Sequence, residues 1–426
     1  MYRQAILDNG VCVLTEEMPN VRSVVIGIWA DVGSRDEPKD AAGISHFIEH
    51  LLFKGTQKRT ARDIAEALDA VGGQLNAFTT KEYTCYYARV MDEFFDLSLD
   101  VLADMLLSSR FAPEDIDREK NVIAEEIKMY EDTPDELVHD VFASAIWQEH
   151  VLGRPIIGEA SIIESLDQSR ILSFYQTHYL PANLIVAIAG NIRHQEVVEK
   201  VRAVLGSVRG AKVTRQGNVP VPKSKMVCRK KDTEQVHLCI GAPGLAPDDE
   251  NIYAVQLLNT VLGGGVSSRL FQEIRENRGL VYSIYSYHTS YHDTGLFCVY
   301  AGLSKNNVLQ VSELVFQEIK AICDNGITET ELQRSKNQVK GNLYLSLENV
   351  TTHMSRLAKS KLYLERFVTP EEVVDRISKV TRDEVRNLAR ALLQPELLAI
   401  AAVGPWDDCE ILQEKAFEIL TRQENK

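Results

Sequence analysis

The chain has 426 residues, enough for two domains with ample hydrophobic cores. Its hydrophobic fraction of 45% and charged fraction of 25% are those of an ordinary soluble globular protein. The net charge of −14 disfavours nucleic acid and anionic membranes as partners, and no stretch is apolar enough for long enough to span a bilayer.

Turn and capping signals divide the first half of the chain into strands and helices. Asn9-Gly10 lies between two apolar runs and predicts a β-hairpin. Thr60, three residues before Asp63, predicts the start of a helix. The remaining elements follow from hydrophobic periodicity. The predicted strands cover 21–33, 74–90 as a pair and 183–192, and the predicted helices cover 44–53, 61–71, 92–107, 113–130, 135–148 and 195–205.

The second half of the chain repeats the first. Residues 111–127 align with 327–343, with an arginine, a lysine and an asparagine in register. A repeat of this size indicates a duplicated domain. Residues 209–232 are rich in Gly, Pro, Lys and Arg with little apolar periodicity, and they predict a linker. We therefore predict an α+β protein of two homologous domains, 1–208 and 233–426, each a mostly antiparallel sheet packed with helices.

One short stretch, His46-Phe-Ile-Glu-His50, has the spacing of a metal site. On a helix, His46 and His50 lie one turn apart, and Glu49 projects from the same side. This H-x-x-E-H pattern is the inverted form of the zinc-protease motif. Two histidines four residues apart are, by themselves, more often a surface feature. A catalytic zinc ion usually has three protein ligands and a water, so the pattern requires one more ligand.

The helix predicted at 113–130 offers that third ligand. Glu119 and Glu126 are two turns apart and share one face, whereas Glu125 is displaced by about 100° from Glu126. One of the pair would bind the metal, and the other would hold a histidine N–H, as metal-binding imidazoles usually require. Spacing alone does not choose between Glu119 and Glu126.

The repeat indicates which half holds the metal. The counterparts of Glu119 and Glu126 in the second half are Ser335 and Asn342. The counterpart of the histidine helix, residues 253–260, contains neither His nor Glu. If the halves are homologous, the sequence therefore predicts a metal site in the first half alone.

Three motifs together resemble the pitrilysin/insulysin family of zinc peptidases, in the short-subunit branch of mitochondrial processing peptidase and its bacterial relatives. The motifs are HFIEHLLFKGT at 46–56, GGQLNAFT at 72–79, and Glu119 followed after six residues by Glu126. The resemblance covers nearly the whole chain. It implies that His46, His50 and Glu126 bind one zinc ion per chain. It also implies that Glu49 is the general base and that Glu119 supports the site.

The resemblance further implies how a peptide substrate is held. Asn76 and Ala77 would lie on an edge strand that pairs with the peptide backbone. In the segment 271–282, Arg275 and Tyr282 fall at the positions with which the family contacts the peptide or the developing oxyanion. From the residues alone, the alternatives are a surface salt bridge for Arg275 and a half-buried strand tyrosine for Tyr282.

These features predict a zinc metalloendopeptidase that hydrolyses short unfolded peptides or presequence-like segments inside a dimeric chamber. In this branch, the metal motif and the arginine–tyrosine pair are sometimes divided between two subunits. This chain carries both, which favours a homodimer. The alternative is a non-catalytic or partner-dependent processing subunit of a larger complex, but such subunits typically lack an intact metal motif.

The seven cysteines are scattered and include no C-x-x-C pair, so the sequence predicts neither a disulfide framework nor a cysteine zinc site. A reducing compartment fits this pattern best. The first ten residues lack an apolar core of signal-peptide length, which favours a cytoplasmic location.

Overall fold

The computed structural model describes residues 2–215, 219–223, 225–408 and 410–421, and within them it has two β-sheets packed with helices. The strands are β1 (Tyr2–Ile6), β2 (Cys12–Glu17), β3 (Ser23–Ala30), β4 (Gln74–Thr79), β5 (Thr84–Met91), β6 (Leu184–Gly190), β7 (Met226–Lys230), β8 (Val236–Gly244), β9 (Val281–Tyr291), β10 (Thr294–Leu303) and β11 (Ala399–Gly404).

The described residues also form fifteen α-helices. They are α1 (Ile44–Leu52), α2 (Ala61–Asp69), α3 (Phe95–Ser108), α4 (Pro113–Glu131), α5 (Pro134–Ile146), α6 (Ala160–Ser165), α7 (Gln168–His178), α8 (His194–Leu205), α9 (Ile252–Leu262), α10 (Val308–Asn325), α11 (Glu329–Ser346), α12 (Val350–Leu364), α13 (Pro370–Lys379), α14 (Arg382–Leu392) and α15 (Glu410–Thr421). The elements predicted for the first half are confirmed, with ends that differ by at most three residues. Each described helix is too short or too polar to cross a bilayer.

The first compact unit comprises Met1–Lys128, Pro155–Gly217 and Ser346–Phe367. Its six strands are arranged in the order β1-β2-β6-β3-β5-β4, and all neighbours are antiparallel except β2 and β6. Helices from the first half, including α1, α3 and α4, bury apolar residues on one face of this sheet. Helix α12 covers the other face, where Met354 lies against Trp29.

The second compact unit comprises Met129–Arg154, Asn218–Leu345 and Val368–Lys426. Its five strands follow the order β7-β11-β8-β10-β9, and only β7 and β11 are parallel. Helices α9, α10 and α14 pack on one face of the sheet, and α5 packs on the other. Strands β2 to β6 and β7 to β11 therefore share one topology, which confirms the predicted α+β fold of two homologous domains.

Each compact unit contains one helix from the other half of the sequence, α12 in the first unit and α5 in the second. The contiguous domain boundaries 1–208, 209–232 and 233–426 stay a prediction. The compact units differ from these boundaries because each unit includes a helix from the other half of the sequence. The amphipathic pattern of a helix indicates that one face is buried, but it does not indicate which sheet that face covers.

The thiols are mostly free. Five cysteines form no disulfide bond, namely Cys12, Cys85, Cys239, Cys298 and Cys323. Cys409 lies outside the described residues. Cys228 is disulfide-bonded, which departs from the reduced set that the sequence predicted.

Candidate metal centre

Helix α1 presents the histidine motif on one side because its apolar residues occupy the other. Phe47, Ile48 and Leu51 are buried in the core of the first unit. His46 and His50, which alternate with them along the helix, are half-buried. The hydrophobic periodicity therefore orients both imidazoles away from the core.

The start of α1 is fixed by a buried carboxylate. Glu37 is only 4% exposed and accepts the backbone N–H of Gly43 at 2.7 Å and of Ser45 at 2.8 Å. Burial raises the pKa of Glu37 to about 7. Gly43 has φ +96, and a Cβ there would meet the carbonyl oxygen of Ile157 at 2.8 Å, so this turn requires glycine. Sequence reasoning missed Glu37, which lies outside the periodic pattern of α1.

Glu126 of α4 joins the two imidazoles. His46 Nε2 lies 3.7 Å from Glu126 Oε1, and His50 Nε2 lies 3.5 Å from Glu126 Oε2. Ligand atoms of these three residues all lie within 4.8 Å of one another. Two donors bound to one tetrahedral zinc ion at the usual bond lengths are roughly 3.3 Å apart. The spacing and the donor set therefore fit Zn²⁺.

The two histidines differ in their second nitrogen. Burial, together with the neighbouring His50, lowers the pKa of His46 to about 4, so this imidazole is neutral, as metal binding requires. The Nδ1 atom of His46 is buried without a hydrogen-bond partner among the described residues. The Nδ1 atom of His50, in contrast, lies 3.1 Å from a carboxylate oxygen of Glu119.

Glu119 lies behind the histidine pair. It is 1% exposed, and Lys54 Nζ lies 2.8 Å from its Oε1. Burial opposes its negative charge, but the hydrogen bonds from His50 and Lys54 outweigh that effect and lower the pKa of Glu119. The geometry thus separates the two glutamates that spacing could not, with Glu126 beside both imidazoles and Glu119 behind one of them.

Glu49 is half-buried on the same helix. Its Oε2 accepts the hydroxyl of Thr79 at 2.5 Å. Burial raises the pKa of Glu49, and the hydrogen bond from Thr79 offsets part of this rise. Thr79 was not singled out from the sequence, although it ends the GGQLNAFT motif. Its contact fixes one oxygen of the Glu49 carboxylate.

Strand β4 forms one edge of the first sheet and carries Asn76 and Ala77. Its only strand neighbour in the described residues is β5, with Asn76 opposite Tyr87 and Ala77 opposite Tyr86. The backbone N–H of Ala77 donates to Asn76 Oδ1 at 2.8 Å. The Asn76 side chain therefore accepts a hydrogen bond from a backbone N–H group of an edge strand, and such a strand can pair with a further extended chain.

Arg275 and Tyr282 belong to the second unit. Arg275 lies in a π-helical segment, Phe271–Glu276, with its guanidinium 4.8 Å from the centroid of the Phe271 ring. Tyr282 lies on β9, the edge strand of the second sheet, and is 76% exposed. The alternative of a half-buried strand tyrosine is wrong, while a role for either residue in binding peptide stays a prediction.

Two family models match the chain in succession. The model described as insulinase, peptidase family M16, matches residues 12–160. The model described as the peptidase M16 inactive domain matches residues 165–339. The histidine motif and Glu126 both fall within the first match, and the model described as the inactive domain covers neither.

Several bacterial relatives align over almost their full length. An uncharacterized zinc protease of Bacillus subtilis (strain 168) is 43% identical over 405 residues, which cover 95% of this chain and 98% of the relative. An uncharacterized zinc protease of Streptomyces coelicolor is 44% identical over 418 residues, which cover 95% of this chain and 90% of the relative.

Solved structures share the fold at lower identity. A protease from Helicobacter pylori superposes with a TM-score of 0.88 at 22% identity, covering 95% of this chain and 99% of that chain. A chain from complex III2 of Candida albicans, with Inz-5 bound, superposes with a TM-score of 0.85 at 20% identity, covering 97% and 99%. At such identities the likeness concerns the fold alone.

Proposed function

Because this chain belongs to the M16, or pitrilysin/insulysin, family of peptidases, we propose that it is a zinc endopeptidase that hydrolyses short unfolded peptides. His46, His50 and Glu126 would hold one zinc ion. The observation that carries the proposal is the approach of Glu126 to both imidazoles, at 3.7 and 3.5 Å, beside a carboxylate on the same helix as the histidines.

Zinc in such a site supplies a Lewis acid and lowers the pKa of a bound water. Glu49 takes a proton from the attacking water and then delivers it to the leaving amine. Burial raises the pKa of Glu49 toward the range in which a carboxylate both accepts and returns a proton. Thr79 holds one oxygen of Glu49, so the carboxylate keeps a fixed orientation during both transfers.

The free edge of β4 would bind the peptide as an added strand. The peptide backbone would pair along Asn76 and Ala77, which orients the scissile bond without reading side chains. Strand addition requires about four or more extended residues with free N–H and C=O groups. In a folded protein most extended segments are already paired within a sheet, so the substrate class that we propose is unfolded peptide, including presequence-like segments.

The second unit would contribute Arg275 and Tyr282 to the bound peptide or to the developing oxyanion. We propose that two chains form a homodimeric chamber in the cytoplasm, because one chain carries both the metal motif and this pair. Sedimentation that showed only a monomer with full activity would contradict the dimer and leave the peptidase proposal standing.

The deciding experiment compares wild type with Glu49→Gln for metal content and for cleavage of a quenched fluorescent peptide of roughly ten residues. We expect equal zinc at the histidine site in both proteins. The cleavage rate of the variant should fall by at least about 10²–10⁴-fold, which is the contribution of general acid–base catalysis. A chelator should abolish the wild-type activity. Wild type that binds zinc but cleaves no peptide of any sequence would instead indicate a partner-dependent or non-catalytic subunit.

A further inference from the structure

A second group of metal-ligating side chains lies in the other compact unit. It consists of His139 on α5, Cys239 on β8 and Cys298 on β10. One imidazole nitrogen and the two sulfur atoms all lie within 4.8 Å of one another. The proposed peptidase chemistry uses none of these residues, and the family resemblance assigns them no role.

The strand register brings the two thiols together. Cys239 is opposite Tyr300, and Cys298 is opposite Gly241, so the two cysteines are diagonal neighbours on one face of the sheet. Helix α5 packs on this same face, which places His139 over them. The approach of α5 is close, because a Cβ on Gly241 would meet the Phe142 ring at 2.8 Å.

One distance between candidate ligand atoms matches that in a tetrahedral metal site. Cys239 Sγ lies 3.6 Å from His139 Nδ1. In a tetrahedral zinc site, a sulfur at about 2.3 Å and a nitrogen at about 2.05 Å from the ion are roughly 3.6 Å apart. An ordinary buried thiol needs no such neighbour, since free cysteine packs as a small hydrophobic residue.

Charge balance indicates the class of ion. Both thiols are fully buried, with 0% exposure. A divalent cation with two thiolates and a neutral imidazole has no net charge, and a neutral site is the arrangement that burial tolerates. Thiolate and imidazole donors favour zinc over calcium or magnesium.

We propose that His139, Cys239 and Cys298 form a second metal site that takes Zn²⁺. Binding forms two Zn–S bonds and one Zn–N bond, and the two thiols release their protons to solvent as the site assembles. The site joins α5, from the first half of the sequence, to two strands of the second sheet. It therefore stabilises the second unit and takes no part in peptide hydrolysis.

Two tyrosine hydroxyls lie within hydrogen-bond distance of the His139 ring. Tyr285 Oη lies 3.3 Å from His139 Nε2, where an outer partner orients a metal-binding imidazole. Tyr287 Oη lies 2.7 Å from His139 Nδ1, in a hydrogen bond that a metal ion on this nitrogen would replace. Since two ligands of one zinc ion are about 3.3 Å apart, the Tyr287 hydroxyl would move by about 0.6 Å to become a neutral fourth ligand or to donate to a thiolate.

Cobalt(II) provides a probe that separates the two sites. A thiolate bound to Co²⁺ gives a charge-transfer band in the near ultraviolet, and the His46, His50 and Glu126 site contains no sulfur. Because the thiols are buried, the metal is loaded while the chain folds, by expression in minimal medium supplemented with cobalt. The full-length proteins are wild type, Cys298→Ala, His139→Gln, the double variant His46→Ala/His50→Ala, and Cys85→Ala as a control for loss of another fully buried free thiol.

We expect the thiolate band in wild type, in the double histidine variant and in Cys85→Ala, and its loss in Cys298→Ala. Total metal should be about two ions per chain in wild type and about one in Cys298→Ala. Wild type that holds cobalt without a thiolate band would overturn the second site, whatever the peptidase assay shows. Persistence of the band in both Cys298→Ala and His139→Gln would also overturn it. If Cys298→Ala does not fold, the proposal is still tested by two results, the presence of the thiolate band in wild type and its loss in His139→Gln.

Discussion

The two sheets share a strand order, but the helices at matching positions carry different chemistry. Ser45, Phe47 and Ile48 of α1 are buried, as are Ile252 and Ala254 of α9. The burial patterns align when the first helix is shifted by 207 residues, because Ile48 and Leu51 then coincide with the buried Val255 and Leu258 of α9. The apolar face, and with it the packing on the sheet, is common to both units.

The difference lies on the other face. With the same alignment, Tyr253, Gln256 and Leu257 stand where the first unit has His46, Glu49 and His50. Leu257 is fully buried and contributes to the core, whereas His50 is half-buried. Three substitutions on one helix face thus separate a helix that can bind a metal from one that only packs.

Helices α4 and α11 show the same division. Glu119 and Ser335 are both nearly inaccessible, at 1% and 2% exposure. The Ser335 hydroxyl donates to the carbonyl of Leu332 within its own helix and needs nothing further. The Glu119 carboxylate is tolerated because His50 and Lys54 hydrogen-bond to it. Exchanging residues between the units therefore tests whether these side chains give the first unit the metal site that we propose.

The largest effect is expected when Glu126 is replaced by the residue of the second unit, as Glu126→Asn. An asparagine removes the charged ligand that we propose and leaves two imidazoles, which bind zinc weakly. Zinc should fall by about one ion per chain, and peptidase activity by more than the roughly 100-fold that loss of an outer partner costs. Glu125→Asn is the matched control, since Glu125 pairs with Lys128 at 2.6 Å on the surface. Equal losses in both variants would contradict the assignment.

A pH-dependent effect on stability is expected from Glu37, which accepts backbone N–H groups at the start of α1, whereas the N-cap residue of α9, Asn251, forms no side-chain cap hydrogen bond. The pKa of Glu37 is raised from 4.5 to about 7, so the folded state binds this proton more tightly than the unfolded chain. The resulting stability is present below pH 4.5 and is lost as the pH rises through about 7. Between about pH 5 and about pH 8, this group should remove about 2 kcal/mol from the free energy of unfolding.

The variant Glu37→Gln keeps an oxygen acceptor for the backbone of α1 and removes the titration. Denaturant unfolding of the apoproteins at both pH values should show a flatter pH dependence in Glu37→Gln than in wild type. The exposed Glu114→Gln serves as the control and should keep the wild-type slope. Identical slopes in all three proteins would show that Glu37 is not protonated more readily in the folded state.

A smaller effect is expected from Glu119→Ser, which also installs the residue of the second unit. His50 then loses the carboxylate that orients its ring, and zinc affinity should fall by about 10- to 100-fold. Glu119→Gln retains an acceptor for the Nδ1–H of His50 and should lose less. Competition with a chromogenic chelator measures both affinities, and a larger loss in Glu119→Gln than in Glu119→Ser would contradict the positioning role.

The local features of the molecule could be predicted from the sequence. Helix α1 and its histidine face follow from residues within one or two turns of each other, and the capped start of α2 at Thr60 follows from a three-residue spacing. The choice between Glu119 and Glu126 could not be made in this way. Both lie on one helix face, and only the packing of α4 against α1 distinguishes the glutamate beside both imidazoles from the one behind His50.

Contacts between distant residues left no usable signal in a single sequence. His139 and Cys239 are 100 residues apart, and neither belongs to a short motif. Their contact depends on α5 packing on the second sheet, and the helix pattern does not specify that sheet. Glu37 was also missed, because a carboxylate that accepts backbone N–H groups from a later turn has no fixed sequence spacing.

The smallest effect is expected at the edge of the first sheet, where Asn76 Oδ1 accepts the N–H of Ala77. A peptide that adds to β4 must compete with this side chain for the same donor. Asn76→Ala frees the donor, and KM for a peptide should fall a few-fold, equivalent to about 1 kcal/mol for one hydrogen bond. The kcat should not change, because the proposed metal ligands and Glu49 are untouched. Gln74→Ala, on the same exposed strand, should leave both constants unchanged. A rise in KM for Asn76→Ala would instead make the Asn76 amide a direct ligand of the peptide.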